Sequence, residues 1–167
     1  RVSRLMTLGL MSGQTILDVG CAYGPFLSAA SDAGLSPYGM DIASSAVLHV
    51  RDKLGFPAWS GNFLDFSLEQ LQNSNGFNAL TFWYVLEHFP ELDKVLWKVK
   101  EVTKPGAFVA MAVPNAAGIS AKKNRKAFLE TSPRDHYSLF SPKSLIHIMK
   151  TQGFKHRKTV VTGHHPE

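Results

Sequence analysis

Short apolar runs alternate with amphipathic segments along the chain, and glycine, proline or serine marks most changes of period. Apolar runs bounded by turn formers read as buried strands, and apolar positions three and four apart read as helices packed by one face. Residues 15–19 are then a first strand. Residues 25–33 are a helix with Phe26, Leu27 and Ala30 on one face, stopped by Gly34. A second strand at 38–41 leads to a helix capped by Ser44 or Ser45 and ended near Leu54 by Gly55 and Pro57. A short third strand at 58–60 precedes a weak helix at 68–72. Residues 78–84, with Phe82, Trp83 and Tyr84, form a continuous apolar run, as a central strand buried on both faces would.

Pro90 opens the next predicted helix, which carries Leu92, Val95, Leu96, Val99 and Val102 at helical spacing. Pro105-Gly106 breaks it, and 107–113 is a fifth strand. Residues 114–137 show no clear period and contain Pro114, Gly118 and Pro133, which predicts a long functional or mobile loop. Ser141-Pro142 starts a helix through Met149, stopped at Gly153, and 154–162 reads as a sixth strand. Repeated β-α units of this kind predict a single domain over 1–167. Its fold class is α/β, doubly wound and Rossmann-like, with a mostly parallel sheet and helices on both faces.

The strongest local signal lies where the first strand meets its helix, at Asp18-Val-Gly20-Cys-Ala-Tyr-Gly24-Pro25. Glycine permits a sharp turn and close approach of a ligand to the backbone, and Pro25 suits a first helical position. The second strand ends in Asp41, and 41 − 24 = 17 positions separate it from Gly24. A carboxylate there can accept both hydroxyls of a ribose, so the site suits an adenosine-containing cofactor at the carboxyl edge of a parallel sheet. A dinucleotide fingerprint would read G-x-G-x-x-G. Gly20-x-x-x-Gly24 does not.

Composition narrows the reading further. With 44% hydrophobic and 19% charged residues, the chain groups with globular rather than disordered proteins. No apolar run approaches the roughly 18 residues of a membrane span. The first residues lack the apolar core of a signal peptide, and the single cysteine, Cys21, allows no internal disulfide. Both point to a cytoplasmic setting. Cys21 itself reads as a small packing residue. The net charge of +5 concentrates in Lys122–Lys126, Lys155–Lys158 and in Lys94, Lys98, Lys100 and Lys104 on one predicted helix. Such patches attract acidic ligands or nucleic acid, or are simply solvated surface. No aromatics interleave with the 122–126 lysines, which argues against a single-strand stacking platform.

The loop at Asp18–Gly24 resembles the D-x-G-x-G-x-G segment of class I S-adenosylmethionine-dependent methyltransferases, with Ala22 in place of the common middle glycine. Further motifs follow in the same order. Val85-Leu86-Glu87-His88-Phe89-Pro90 is similar to V-L-E-H-V-P, and Lys104-Pro105-Gly106 to L-K-P-G-G. Val113-Pro114-Asn115 and the stretch from His136 to Pro142, with Gly153-Phe154, also fit. The chain resembles the small-molecule branch that includes ubiquinone-biosynthesis O-methyltransferases.

That resemblance implies S-adenosylmethionine as cofactor and a small-molecule acceptor, most often a hydroxyl oxygen. Segment 114–137 would then be a lid or acceptor-selecting element; the residues themselves indicate no membrane partner and no metal and disfavour nucleic acid, and oligomeric state stays open. Asp18, Gly20 and Gly24 would line the methionine half of the cofactor and Asp41 its ribose. Ile42 would pack on adenine, with Asn62 and Phe63 near the adenine amino group and Trp83 in contact with the cofactor, partly through its backbone. For Asp18 a loop-organising role stays open, and for Ile42, Phe63 and Trp83 plain core packing.

His88, just past the fourth strand, is the first candidate base, with His136 the second; a helix-start role is the alternative for His88. Glu87 would orient His88 or cap the following helix. His164 and His165 lack partner spacing for a metal. A family sheet has seven strands, so with a count of six either the last antiparallel strand is missing from this sequence or something else completes that edge, and with much of the usual N-terminal region absent the chain reads as a catalytic core. An RNA or protein methyltransferase, or a non-catalytic cofactor-binding module, are the competing readings. The fourth strand lacks an N-P-P-Y motif, against the first.

Overall fold

Five strands line up in parallel in the order β3-β2-β1-β4-β5: β1 Thr15–Val19, β2 Ser36–Asp41, β3 Ala58–Ser60, β4 Phe77–Trp83 and β5 Thr103–Ala112. The structure is a computed structural model and describes residues 1–71 and 75–161. They fall into two compact units, the first comprising Arg1–Leu86 with Glu91–Ala112 and the second Glu87–Pro90 with Val113–Glu167.

In the first unit, helices α1 Val2–Thr7, α2 Pro25–Asp32, α3 Ser44–Asp52 and α4 Leu92–Val102 cover the sheet. From β1 the chain steps through α2 to β2 on one side; from β4 it steps through α4 to β5 on the other. Right-handed crossovers in opposite directions put their helices on opposite faces. Side-chain alternation agrees. Ile16 and Ala79 pack with Val2, Leu5, Phe26 and Ala30 of α1 and α2. Phe82 points the other way and meets Phe63, ring centroids 5.5 Å apart. On that second face Lys98 of α4 donates to the Phe66 carbonyl at 3.0 Å, and Phe66 packs against Trp59 and Phe77.

The predicted fold class holds, with local corrections. Helix α1 was not anticipated, because six residues show less than two turns of period. Ser44 and Ser45 are not the cap of α3. The N-cap is Ala43, and the Asp41 carboxylate takes its backbone N–H. Helix α4 starts at Leu92 rather than Pro90, with Glu91 at its N-cap. Pro105-Gly106 lies inside β5, since the helix has already ended at Val102. A bulge absorbs the intervening residues: Phe77 pairs with Thr103 and Ala79 with Phe108. Lys104 is therefore a strand residue. The 68–72 helix is a single 3-10 turn, Leu68–Gln70, and Gln72 lies outside the described residues.

The second unit holds α5 Ile119–Lys123, α6 Arg125–Glu130 and α7 Pro142–Thr151. Two helices thus occupy the segment read as a loop. They are too short to show a period, and Asn124 joins them by accepting the Ala127 N–H. Helix α7 begins at Ser141 as expected, with a reciprocal capping box to Ser144. Residues 154–161 form no strand. The charged run Lys155–Lys158 and the exposed Val160 and Val161 offer no apolar face to a sheet. Thr162, His164 and His165 lie outside the described residues. No helix among the described residues is long and apolar enough to cross a membrane.

Gly39 governs how closely α2 approaches the sheet. A Cβ there would sit 2.8 Å from Cys21 Sγ and 2.9 Å from Leu27 Cδ1. Gly39→Val is expected to destabilise the domain by about 1–3 kcal/mol through overpacking, measured as a lower midpoint in denaturant.

Candidate active site

Chain direction places the carboxyl ends of all five parallel strands at one sheet edge, and the turns that leave them build the site of the first unit. After β1 the backbone N–H groups of Gly20 and Cys21 both donate to the Met40 carbonyl, at 2.7 and 3.0 Å. Gly20 has φ 76°, and a Cβ on it would overlap the Val85 side chain. Gly24, at φ 81°, is the N-cap of α2, where a Cβ would lie 2.6 Å from Leu54 Cδ1. Both glycines are required by space as well as by conformation.

Ala22, at the position of the family's middle glycine, also adopts positive φ, at 47°. Its N–H donates to Asp41 Oδ2 at 2.8 Å, while Asp41 Oδ1 accepts from Ala43 at 2.9 Å. Among the described residues Tyr84 is the other non-glycine residue at positive φ, 61°, immediately after β4. Such strain gathers where surrounding structure holds a functional loop.

Asp18 is 1% exposed. Its Oδ1 accepts from the Thr81 hydroxyl at 2.6 Å. Burial pushes its carboxyl from 3.8 up to about 8, against the opposing pull of the Thr81 hydrogen bond and the Arg1 charge. Burial likewise pushes the Cys21 thiol up to about 12, which fits a packing residue and not a nucleophile.

Ile42 is 81% exposed, open to a ligand's apolar face. Asn62 caps a 3-10 turn, its Oδ1 accepting from Leu64 at 3.0 Å. Phe63 is buried against Phe82. Trp83 packs on Phe26, and the Arg1 guanidinium lies 4.7 Å from the centre of its ring. Its indole N–H is buried and finds no acceptor among the described residues. An orphaned donor, an exposed apolar Ile42 and a carboxylate at the end of β2 suit a nucleoside-like ligand.

In the second unit His88 and His136 meet edge to face, ring centroids 4.7 Å apart. The group against His88 Nδ1 is Asp135, with Oδ2 at 3.1 Å and its carbonyl oxygen at 3.2 Å. Asp135 was missed by sequence reasoning; it lies 47 residues from His88 and nothing in its local pattern marks it. Thr81 was missed for the same reason. Glu87 is buried, and its carbonyl accepts from Tyr137 at 2.9 Å; the N-cap position of α4 is Glu91. Donor atoms of Glu87, His88 and His136 lie within 4.8 Å of one another, close enough to hold a cation. The basic residues of α4 are partly matched: Lys94 pairs with Glu91, and Lys98 with Glu101.

A parallel doubly wound sheet with a glycine turn after β1 and an acid ending β2 has the architecture of a nucleoside-cofactor-binding fold. The chain belongs to the methyltransferase domain family, whose pattern matches residues 1–159. It is 31% identical over 109 residues to a ubiquinone biosynthesis O-methyltransferase of Albidiferax ferrireducens, covering 63% of this chain and 43% of that protein. To the protein of the same name from Paracidovorax citrulli it is 29% identical over 128 residues, covering 73% and 50%. The chain thus spans about half the length of these curated relatives. A SAM dependent methyltransferase from Archaeoglobus fulgidus superposes with a TM-score of 0.72 at 20% identity, over 93% of this chain and 66% of that one, a likeness of fold.

The burial of Asp18 has a consequence for stability. The unfolded chain loses this proton near 3.8, the folded protein only near 8. The folded state therefore holds a proton that the unfolded state has released, and stability falls as pH rises through that window. Asp18→Asn, which cannot ionise, is expected to flatten the fall between pH ~6 and ~8 in denaturant titrations.

Proposed function

We propose that this domain binds S-adenosylmethionine and methylates a hydroxyl oxygen of a small molecule, in the cytoplasm. The observation that carries the reading is the Gly20–Gly24 turn braced by Asp41, on a chain of the methyltransferase family. Gly20 and Gly24 leave backbone free to approach the methionine half, and Asp18 lies beneath it. Asp41 retains unshared lone pairs for ribose hydroxyls, Ile42 offers an apolar face to adenine, and the Trp83 N–H seeks an acceptor. Asn62 keeps acceptor capacity beside its capping bond, and Phe63 acts by packing. When bound, the cofactor supplies a methyl group already activated on a cationic sulfur. What remains for the protein is alignment, exclusion of water and removal of the acceptor's proton.

His88 is our candidate for that last task. Asp135 against Nδ1 holds a proton on that nitrogen and leaves Nε2 free to accept one, the division of labour of a carboxylate-oriented imidazole. His136, in ring contact, is the second candidate. The segment 114–137 is the proposed acceptor-selecting element. O-methylation follows the names of the relatives.

Calorimetry is expected to show micromolar-range affinity for S-adenosylmethionine or S-adenosylhomocysteine and none comparable for NAD. Tighter NAD binding would reject the cofactor. Asp41→Ala is expected to weaken cofactor binding by roughly 2–4 kcal/mol, through loss of charge-assisted bonds and of the brace on Ala22. An unchanged dissociation constant in the folded variant would place the ribose elsewhere.

His88→Ala is expected to lower turnover on an acceptor panel by roughly 10²-fold with cofactor affinity unchanged. It should also remove the acidic limb of the pH–rate profile, because a protonated imidazole accepts no proton. Full activity would move the role to His136 or leave alignment as the whole effect. Binding without turnover on any acceptor would favour a non-catalytic module, and salt-sensitive RNA affinity a nucleic-acid substrate.

A further inference from the structure

We infer that Asp18 and Thr81 form a buried proton-holding pair beneath the cofactor turn, and that a cationic ligand group entering the turn drives the proton out. Thr81 is the positioning residue in this arrangement. The inference rests on the reading that the Gly20–Gly24 turn is the cofactor site.

The geometry turns on the count of protons. Thr81 is fully buried and Asp18 nearly so. The Thr81 hydroxyl has one proton, yet its oxygen lies 2.6 Å from Asp18 Oδ1 and 3.4 Å from the Leu17 carbonyl oxygen. With Asp18 ionised, the hydroxyl proton goes to the 2.6 Å contact and the 3.4 Å contact to Leu17 carries none. With Asp18 neutral, its own O–H donates to Thr81 Oγ1, and Thr81 donates onward to Leu17. The second arrangement gives each contact a proton and leaves no charge in an apolar interior.

The charged groups facing Asp18 are few. Arg1, preceding α1, favours its ionised form, and Asp41, ending β2, opposes it. Cys21 in the turn is held neutral. Burial outweighs the single cation, whose guanidinium lies over the Trp83 ring. A second positive charge tips the balance. S-adenosylmethionine carries two, its α-ammonium and its sulfonium; S-adenosylhomocysteine carries only the first, and since both also carry an α-carboxylate, the ammonium must be the nearer of the two to Asp18. No covalent bond changes: one proton passes from Asp18 to solvent, and the carboxylate left behind faces the ligand's cation.

The test is calorimetric titration of S-adenosylhomocysteine into the whole chain, from about pH 6 to 8, in buffers of differing ionisation enthalpy. Release approaching one proton per ligand is expected at the lower end, with affinity rising up to about tenfold per pH unit. Asp18→Asn should bind with no release and no pH dependence. Thr81→Val, losing a donor to the charged form, should move the dependence to higher pH, while Thr81→Ser should match the parent. Should the valine variant fail to fold, the serine and Asp18→Asn variants still decide the matter.

Infrared spectroscopy of the unliganded protein should show a protonated-carboxyl band that Asp18→Asn lacks and that ligand abolishes. Ligand binding with neither proton release nor that band would overturn the inference and leave the cofactor site standing. Absence of binding at every pH would overturn the site reading and the linkage with it.

Discussion

The Asp41 carboxylate ties together the two turns on which the proposed cofactor site depends. One oxygen holds the N–H of Ala22 in the turn after β1, and the other holds that of Ala43 at the start of α3. Bonds to an ionised acceptor are about twice as strong as neutral ones. They hold Ala22 in a left-handed conformation that costs an alanine on the order of 1 kcal/mol. The two bonds from Gly20 and Cys21 to Met40 complete the brace. The turn is consequently shaped before any ligand arrives, which lowers the ordering cost of binding.

Packing beneath the turn follows from two small decisions. Gly39 removes a side chain where α2 must approach β2, and this brings Cys21 and Leu27 down onto the sheet. Asp18 is carried inward by the alternation of β1 and meets Thr81 on β4, so a carboxyl group is buried next to a site suited to a cationic cofactor. The protein accepts a cost in stability there, since an apolar residue would fold more readily at neutral pH. Sites that bind charge often retain such a group.

In the second unit the chemistry is of another kind. His88 is half-exposed and held by Asp135, with His136 at its ring edge. A carboxylate at one ring nitrogen decides which nitrogen carries the proton, and so which one is available as a base.

Strand and helix positions were largely legible because the signals are local. Period, glycine and proline distinguish 15–19 from 25–33 without knowledge of any partner. The loop chemistry at Asp18–Gly24 and Asp41 was legible for the same reason. Where local signals were weak, the reading failed. Six-residue helices at Val2–Thr7 and Arg125–Glu130 show too little period, and 154–161 looked like a strand only while its sheet neighbour was unknown. The sequence alone thus determined the elements, the glycine turn and the acid that ends β2. Tertiary structure alone decided that Thr81 meets Asp18 across 63 residues, that Asp135 meets His88 across 47, and that β5 bulges against β4. Those contacts depend on which segments lie side by side, and a pattern of apolar and polar positions records only which side of each segment is buried.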